Sequence, residues 1–196
     1  AAAGAGDPVV RLAAVSSYFV PARDAVALTA AADERERTMG TPREFADPVA
    51  TSLSPSNSGT WETLADGARL WRLRVDAPGA TDLNLGFGRF NLPPGATLHV
   101  VAEGRDYYEG PYTHEDNEEH GQLWVPLVPG ERAIVELYVP GGVKNEPDLE
   151  LSRIGYGFRD LFRLTTIKRD AGGCSNDTVC RIADPWREEV AAMETC

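Results

Sequence analysis

Residues 70–75 read Leu70-Trp71-Arg72-Leu73-Arg74-Val75. Trp71, Leu73 and Val75 fall at every second position, and the two arginines fall between them, on the side of Leu70. Successive side chains of an extended strand point to opposite faces, so this spacing describes a strand with one apolar and one polar face. The same alternation recurs in 82–87 (DLNLGF), 98–101 (LHVV), 122–127 (QLWVPL), 133–139 (AIVELYV) and 149–154 (LELSRI). Turn signals separate the runs: Pro78-Gly79, Pro93-Pro94-Gly95, Pro129-Gly130 and Pro140-Gly141-Gly142. Proline presets one turn dihedral, and glycine supplies the positive φ that other residues resist.

Short strands that each bury one face need a second sheet to cover them. The pattern therefore predicts a mainly β protein, an antiparallel β-sandwich of jelly-roll-like kind, over residues 43–165. No helical period interrupts 61–158, which argues against a parallel α/β sheet. Alternation assigns Trp71, Leu73, Val75, Leu85, Phe87, Val100, Trp124, Val135 and Leu137 to the core.

Outside the sandwich the composition changes. Residues 1–42 read as an amino-terminal arm with a short helix at 24–37 (DAVALTAAADERER), and 54–59 (SPSNSG) as a loop. The small residues 1–6 fit what a removed signal peptide leaves, and fit an arbitrary chain boundary equally. Residues 166–196 form an irregular tail, with a local helix signal at Asp184-Pro185.

A net charge of −11 opposes binding to nucleic acid, whose phosphates it would repel, and docking on an anionic membrane. No apolar run approaches the roughly 20 residues of a membrane span. All three cysteines, Cys174, Cys180 and Cys196, lie in the tail. An odd number leaves a thiol seeking a partner elsewhere.

Hydrolysis of the trypsin type needs a histidine base, an orienting aspartate and a serine beside an oxyanion hole. The histidines are His99, His114 and His120; His99 sits within a strand pattern, and no Gly-Asp-Ser-Gly-Gly stretch is present. No catalytic residue is assigned, and the chain is read as non-enzymatic without a cofactor. The loop 112–121 (YTHEDNEEHG) gathers His114, Glu115, Asp116 and His120, candidates for zinc or calcium. The competing reading is a polar loop in which Asp116-Asn117 caps a turn. Tyr107, Tyr108 and Tyr112, at a turn, are candidates for an exposed ligand surface on which a sugar ring would stack.

In order along the chain, 59–64 (GTWETL), 66–73 (DGARLWRL), 90–96 (FNLPPGA), 110–113 (GPYT), 120–126 (HGQLWVP) and 128–131 (VPGE) resemble the amino-terminal region of bacterial lysyl-endopeptidase-like serine proteases. The resemblance covers 43–162. Gly173-Cys174-Ser175-Asn176-Asp177-Thr178-Val179-Cys180 resembles the start of the mature protease in that family, although Ser175 is inserted and Asp177 follows Asn176 directly.

The resemblance implies a secreted or periplasmic pro- or accessory domain that assists folding and latency of its own trypsin-like protease domain, with 166–196 as processing link and start of that domain. The alternative it leaves is a retained module that binds carbohydrate or a cell surface. Lys168-Arg169 is the implied processing site. Cys174, Cys180 and Cys196 would pair with cysteines outside this chain, though a direct Cys174–Cys180 bond is sterically conceivable.

Overall fold

A computed structural model describes residues 11–162. After a single 3-10 turn at Leu12–Ala14, the elements are β1 (Ser17–Phe19), α1 (Ala25–Met39), β2 (Ala46–Leu53), β3 (Thr60–Thr63), β4 (Arg69–Asp76), β5 (Asp82–Asn91), β6 (Thr97–Ala102) and β7 (Tyr108–Tyr112). A 3-10 turn at His114–Asp116 precedes β8 (Leu123–Trp124), β9 (Val128–Pro129), β10 (Arg132–Val139) and β11 (Asp148–Gly157).

The strands form two sheets. The first runs β1-β4-β10-β6-β7, with β3 sharing the outer edge of β4, and the second runs β2-β11-β5-β8, with β9 sharing the edge of β5. Every pairing is antiparallel except β1 with β4. The predicted sandwich is thus the observed architecture.

Its core is built by the alternation. Trp71, Leu73 and Val75 of β4, Val135 and Leu137 of β10, and Leu98 and Val100 of β6 face Leu83, Leu85 and Phe87 of β5 and Leu149, Leu151, Ile154 and Tyr156 of β11, all buried. Burying a side chain of this kind stabilises the fold by about 1.5–3 kcal/mol. On β5 and β11 the inward positions skip from Phe87 to Phe90 and from Leu151 to Ile154. The register between the strands shifts at those points, and the extra residue of a bulge restores the apolar side chains to the inside.

Three features depart from the expectations. Trp124 is 54 % exposed and Val125 is the buried residue of that run. The pairing of Gly86 with Trp124 puts the indole on the same side as Gly86, which is the outer side of β5 because Leu85 and Phe87 point in. Second, the arginine face of β4 is not simply solvated. Arg72 is 3 % exposed and its guanidinium meets Glu62 of β3 at 2.9 Å. Leu70, on that same face, is buried with Leu64 and Ala68 against Tyr138. Third, residues 17–20 of the arm belong to the sandwich. β1 lies on β4, and Val20 is fully buried.

Helix α1 forms where the sequence predicts it. Asp24 caps its start, its side chain accepting from the backbone of Val26 and Ala27, and Gly40, with φ of 64°, ends it in the left-handed conformation. Ala32 is its one buried residue, so apolar packing contributes little to its attachment. Polar links contribute instead: Arg159 donates to the carbonyl of Glu44 at 2.8 Å and to Asp33 at 2.6 Å, and Arg35 makes a two-pronged bond to Glu44.

Candidate functional site

The tyrosine hairpin is formed by β6 and β7. Tyr107 and Tyr112 pack against the main core, whereas Tyr108 is 61 % exposed. The Tyr107 hydroxyl donates to Glu109 at 2.5 Å, and this bond with the negative carboxylate pushes its pKa up to about 12. Burial pushes Tyr112 up to about 12 as well, with Glu109 adding to the effect. The ring of Tyr108 stands 6.1 Å from that of His99, tilted by 56°. His99 is half-buried, which lowers its pKa, while Glu136, directly opposite on β10, acts the other way. Of the three tyrosines Tyr108 is therefore the exposed one, with the half-buried His99 ring beside it, while Tyr107 and Tyr112 turn to the core.

The acidic loop is occupied with capping its own turn. Thr113 and Asp116 form a reciprocal capping box, Asp116 accepting from the Thr113 backbone at 2.6 Å. Asn117 accepts from the amide of Leu92 and donates to its carbonyl, and His120 Nδ1 accepts from the amide of Gln122. His114, Glu115, Asp116 and His120 are all exposed, and among the described residues no three histidine, cysteine or carboxylate side chains converge as metal ligands would.

A third feature was not legible in the sequence. Between the arm and the 54–59 loop lies an open groove of about 470 Å³, lined by Ser16, Ser17, Tyr18, Leu53, Ser56, Ser58 and Trp61. Its loop wall is rigidified from within: Asn57 bonds the amide of Ser54 and the carbonyl of Ser52, and Trp61 Nε1 donates to the carbonyl of Pro55. Gly59 has φ of 72°, and a Cβ there would meet the Trp71 indole at 2.3 Å, so glycine is required for the loop to close over it. Arg69 lies over the ring of Trp61, 5.2 Å from its centre. The Ser-Pro-Ser-Asn-Ser-Gly composition signalled a loop; only the fold brings β1 against it.

Asp82 is the buried acid that sequence reasoning missed. It has no exposed surface, lies against Gly157 and accepts from the Thr81 hydroxyl at 2.8 Å, while its other oxygen has no partner. Burial pushes its pKa up, and the charge of Asp160 adds to the shift. Seventy-odd residues separate positions 82 and 157, so no local signal could have exposed the contact.

Lys168, Arg169, Cys174, Cys180 and Cys196 lie outside the described residues. None of the three histidines bonds a serine, threonine or cysteine side chain among the described residues.

Residues 12–154 match the family model of the lysyl endopeptidase N-terminal domain. The match covers more than half of the chain and runs from the turn before β1 into β11, so it takes in α1 and the arm strand as well as the sandwich. The chain belongs to this family of protease-associated amino-terminal domains. No solved structure matches it.

Proposed function

We propose that this domain is the accessory region of a secreted or periplasmic lysine-cutting serine endopeptidase, and that it binds its own protease domain, favours that domain's folded form and keeps it latent. Family membership carries the reading. A partner that binds only the folded form of a protein shifts its folding equilibrium by mass action, and a rigid sandwich with an ordered core is suited to present such a surface. The absence of a helix long and apolar enough to cross a membrane among the described residues is compatible with it.

On this reading the link containing Lys168-Arg169 is where the two parts separate, and Cys174, Cys180 and Cys196 pair with cysteines of the protease domain. The test adds the chain in trans to its unfolded and to its active protease domain. A raised refolding yield together with inhibition of lysyl ester hydrolysis is the expected result; a protease domain that refolds equally well without it, and is not inhibited, refutes the reading.

A second reading, a retained carbohydrate-binding module, has one observation in its favour: the groove is uncharged, hydroxyl-rich and walled by Tyr18 and Trp61. It requires that glycan bind with no inhibition of the protease.

A further inference from the structure

Of the 19 lysines and arginines in the chain only Lys144 and Lys168 are lysines. The cationic partners in the ion pairs of the described residues are all arginines, among them Arg35, Arg69, Arg72, Arg74, Arg89 and Arg159. Lys144 stands apart. It is exposed, in the segment that joins β10 to β11, and residues 143–147 lie outside helix and strand. Gly141 and Gly142 precede it, and the one backbone bond of that turn, from Val143 to the carbonyl of Pro140, is long at 3.4 Å. Val143 before Lys144 packs against the core and Glu146 after it bonds Arg69, so the exposed stretch between them is Lys144-Asn145, and a protease can draw it into its cleft once these two local anchors let go.

We infer that Lys144 is a built-in cleavage site at which a lysine-specific endopeptidase inactivates this domain, a step beyond separation at the link. The inference rests on the proposed function for the identity of the enzyme. Water adds across the Lys144–Asn145 amide: the C–N bond breaks, the hydroxyl goes to the Lys144 carbonyl carbon and the proton to the Asn145 amine.

The position decides the consequence. β10 lies in the middle of the first sheet, between β4 and β6, and β11 lies between β2 and β5 in the second. The cut severs the covalent connection between them. The piece from Asn145 to Lys168 then carries β11, with Leu149, Leu151, Ile154 and Tyr156 of the core. While the chain is intact, β11 is held at a high effective concentration by its linker; once both lysines are cut it dissociates on dilution and leaves the second sheet without its centre. Loss of the domain then becomes irreversible, which undocking of an intact domain is not. Arginines hold the fold together without offering such an enzyme a site.

The whole 196-residue chain and its Lys144→Arg and Lys168→Arg variants are incubated, folded, with a lysine-specific endopeptidase of separate origin, and the products are mapped by mass spectrometry. The folded chain should be cut after Lys144 while the sandwich stays folded, because opening the site needs only the local release of Val143 and of the Glu146–Arg69 pair. Lys144→Arg should slow that cut by about 100-fold or more, an effect of substrate selection rather than of folding. The doubly cut chain should lose β-sheet circular dichroism on dilution. Cleavage at Lys168 alone in the folded chain, with Lys144 cut only in urea, overturns the inference; so does a doubly cut chain that stays folded at every concentration. Failure to inhibit the protease would refute the proposed function and leave these two outcomes readable.

Discussion

The ring of Trp124 lies on Gly86, so close that a Cβ at position 86 would come within 2.6 Å of it. A large apolar ring is thereby set against the outer surface of the second sheet, and Trp124 as a residue stays 54 % exposed. Trp71, with nearly the same local pattern, is buried at the centre of the core. Trp124→Ala should cost about 1 kcal/mol or less in urea unfolding, whereas Trp71→Ala should cost about 3–5 kcal/mol. Gly86→Ala should displace the indole and shift the emission of Trp124 to longer wavelength. Equal losses from the two tryptophan variants would contradict the assignment of faces.

The ion pair of Arg72 with Glu62 is buried on both sides, with side-chain exposures of 4 % and 6 %. Removing one charge takes a counter-charge from the other in a setting shielded from water. Glu62→Ala should destabilise the domain by about 3 kcal/mol, and the double variant Glu62→Ala, Arg72→Met should recover much of that loss. Chemical denaturation of the single and double variants measures the coupling; additive losses would show that the pair acts independently.

Asp82 is held above its ordinary pKa of 3.8 by burial. The folded chain therefore keeps this proton at a pH where the unfolded chain has released it, and stability falls as pH rises from about 3.8 towards the raised folded value. Asp82→Asn removes that penalty. The variant should gain stability relative to the parent at neutral pH and lose the advantage near pH 3, with urea midpoints across that range as the measurement. A difference that does not change with pH would assign the effect to packing against Gly157 instead.

Arg159 ties α1 to the end of β11 through Asp33 and the carbonyl of Glu44. Because α1 buries little, Arg159→Ala should release the helix before the sandwich. Amide exchange in 25–39 should quicken by tenfold or more, roughly the loss expected from one charge-assisted link, while the amides of β10 stay protected. Unchanged exchange in the helix would mean that other contacts hold it.

Several features were legible along the chain. The alternation in 70–75 and 133–139 separates the two sides of β4 and β10, because a strand's side chains must alternate whatever surrounds them. Pro-Gly pairs mark the turns, the run 24–37 reads as a helix, and ordered short motifs point to the protease-associated family. What tertiary structure alone decided is which side goes in and what lies on the other. Trp124 faces out because a two-residue strand pairs it with Gly86. Arg72 is buried because β3 brings Glu62 to it, and Asp82 because Gly157 leaves room for its carboxylate. The core skips a position at Phe90 and Ile154 because bulges restore the register, and three residues of the arm become an edge strand because β4 has a free edge there. Alternation is a property of one strand and is written locally; burial is a property of a strand and its neighbours, and here those neighbours come from distant parts of the chain.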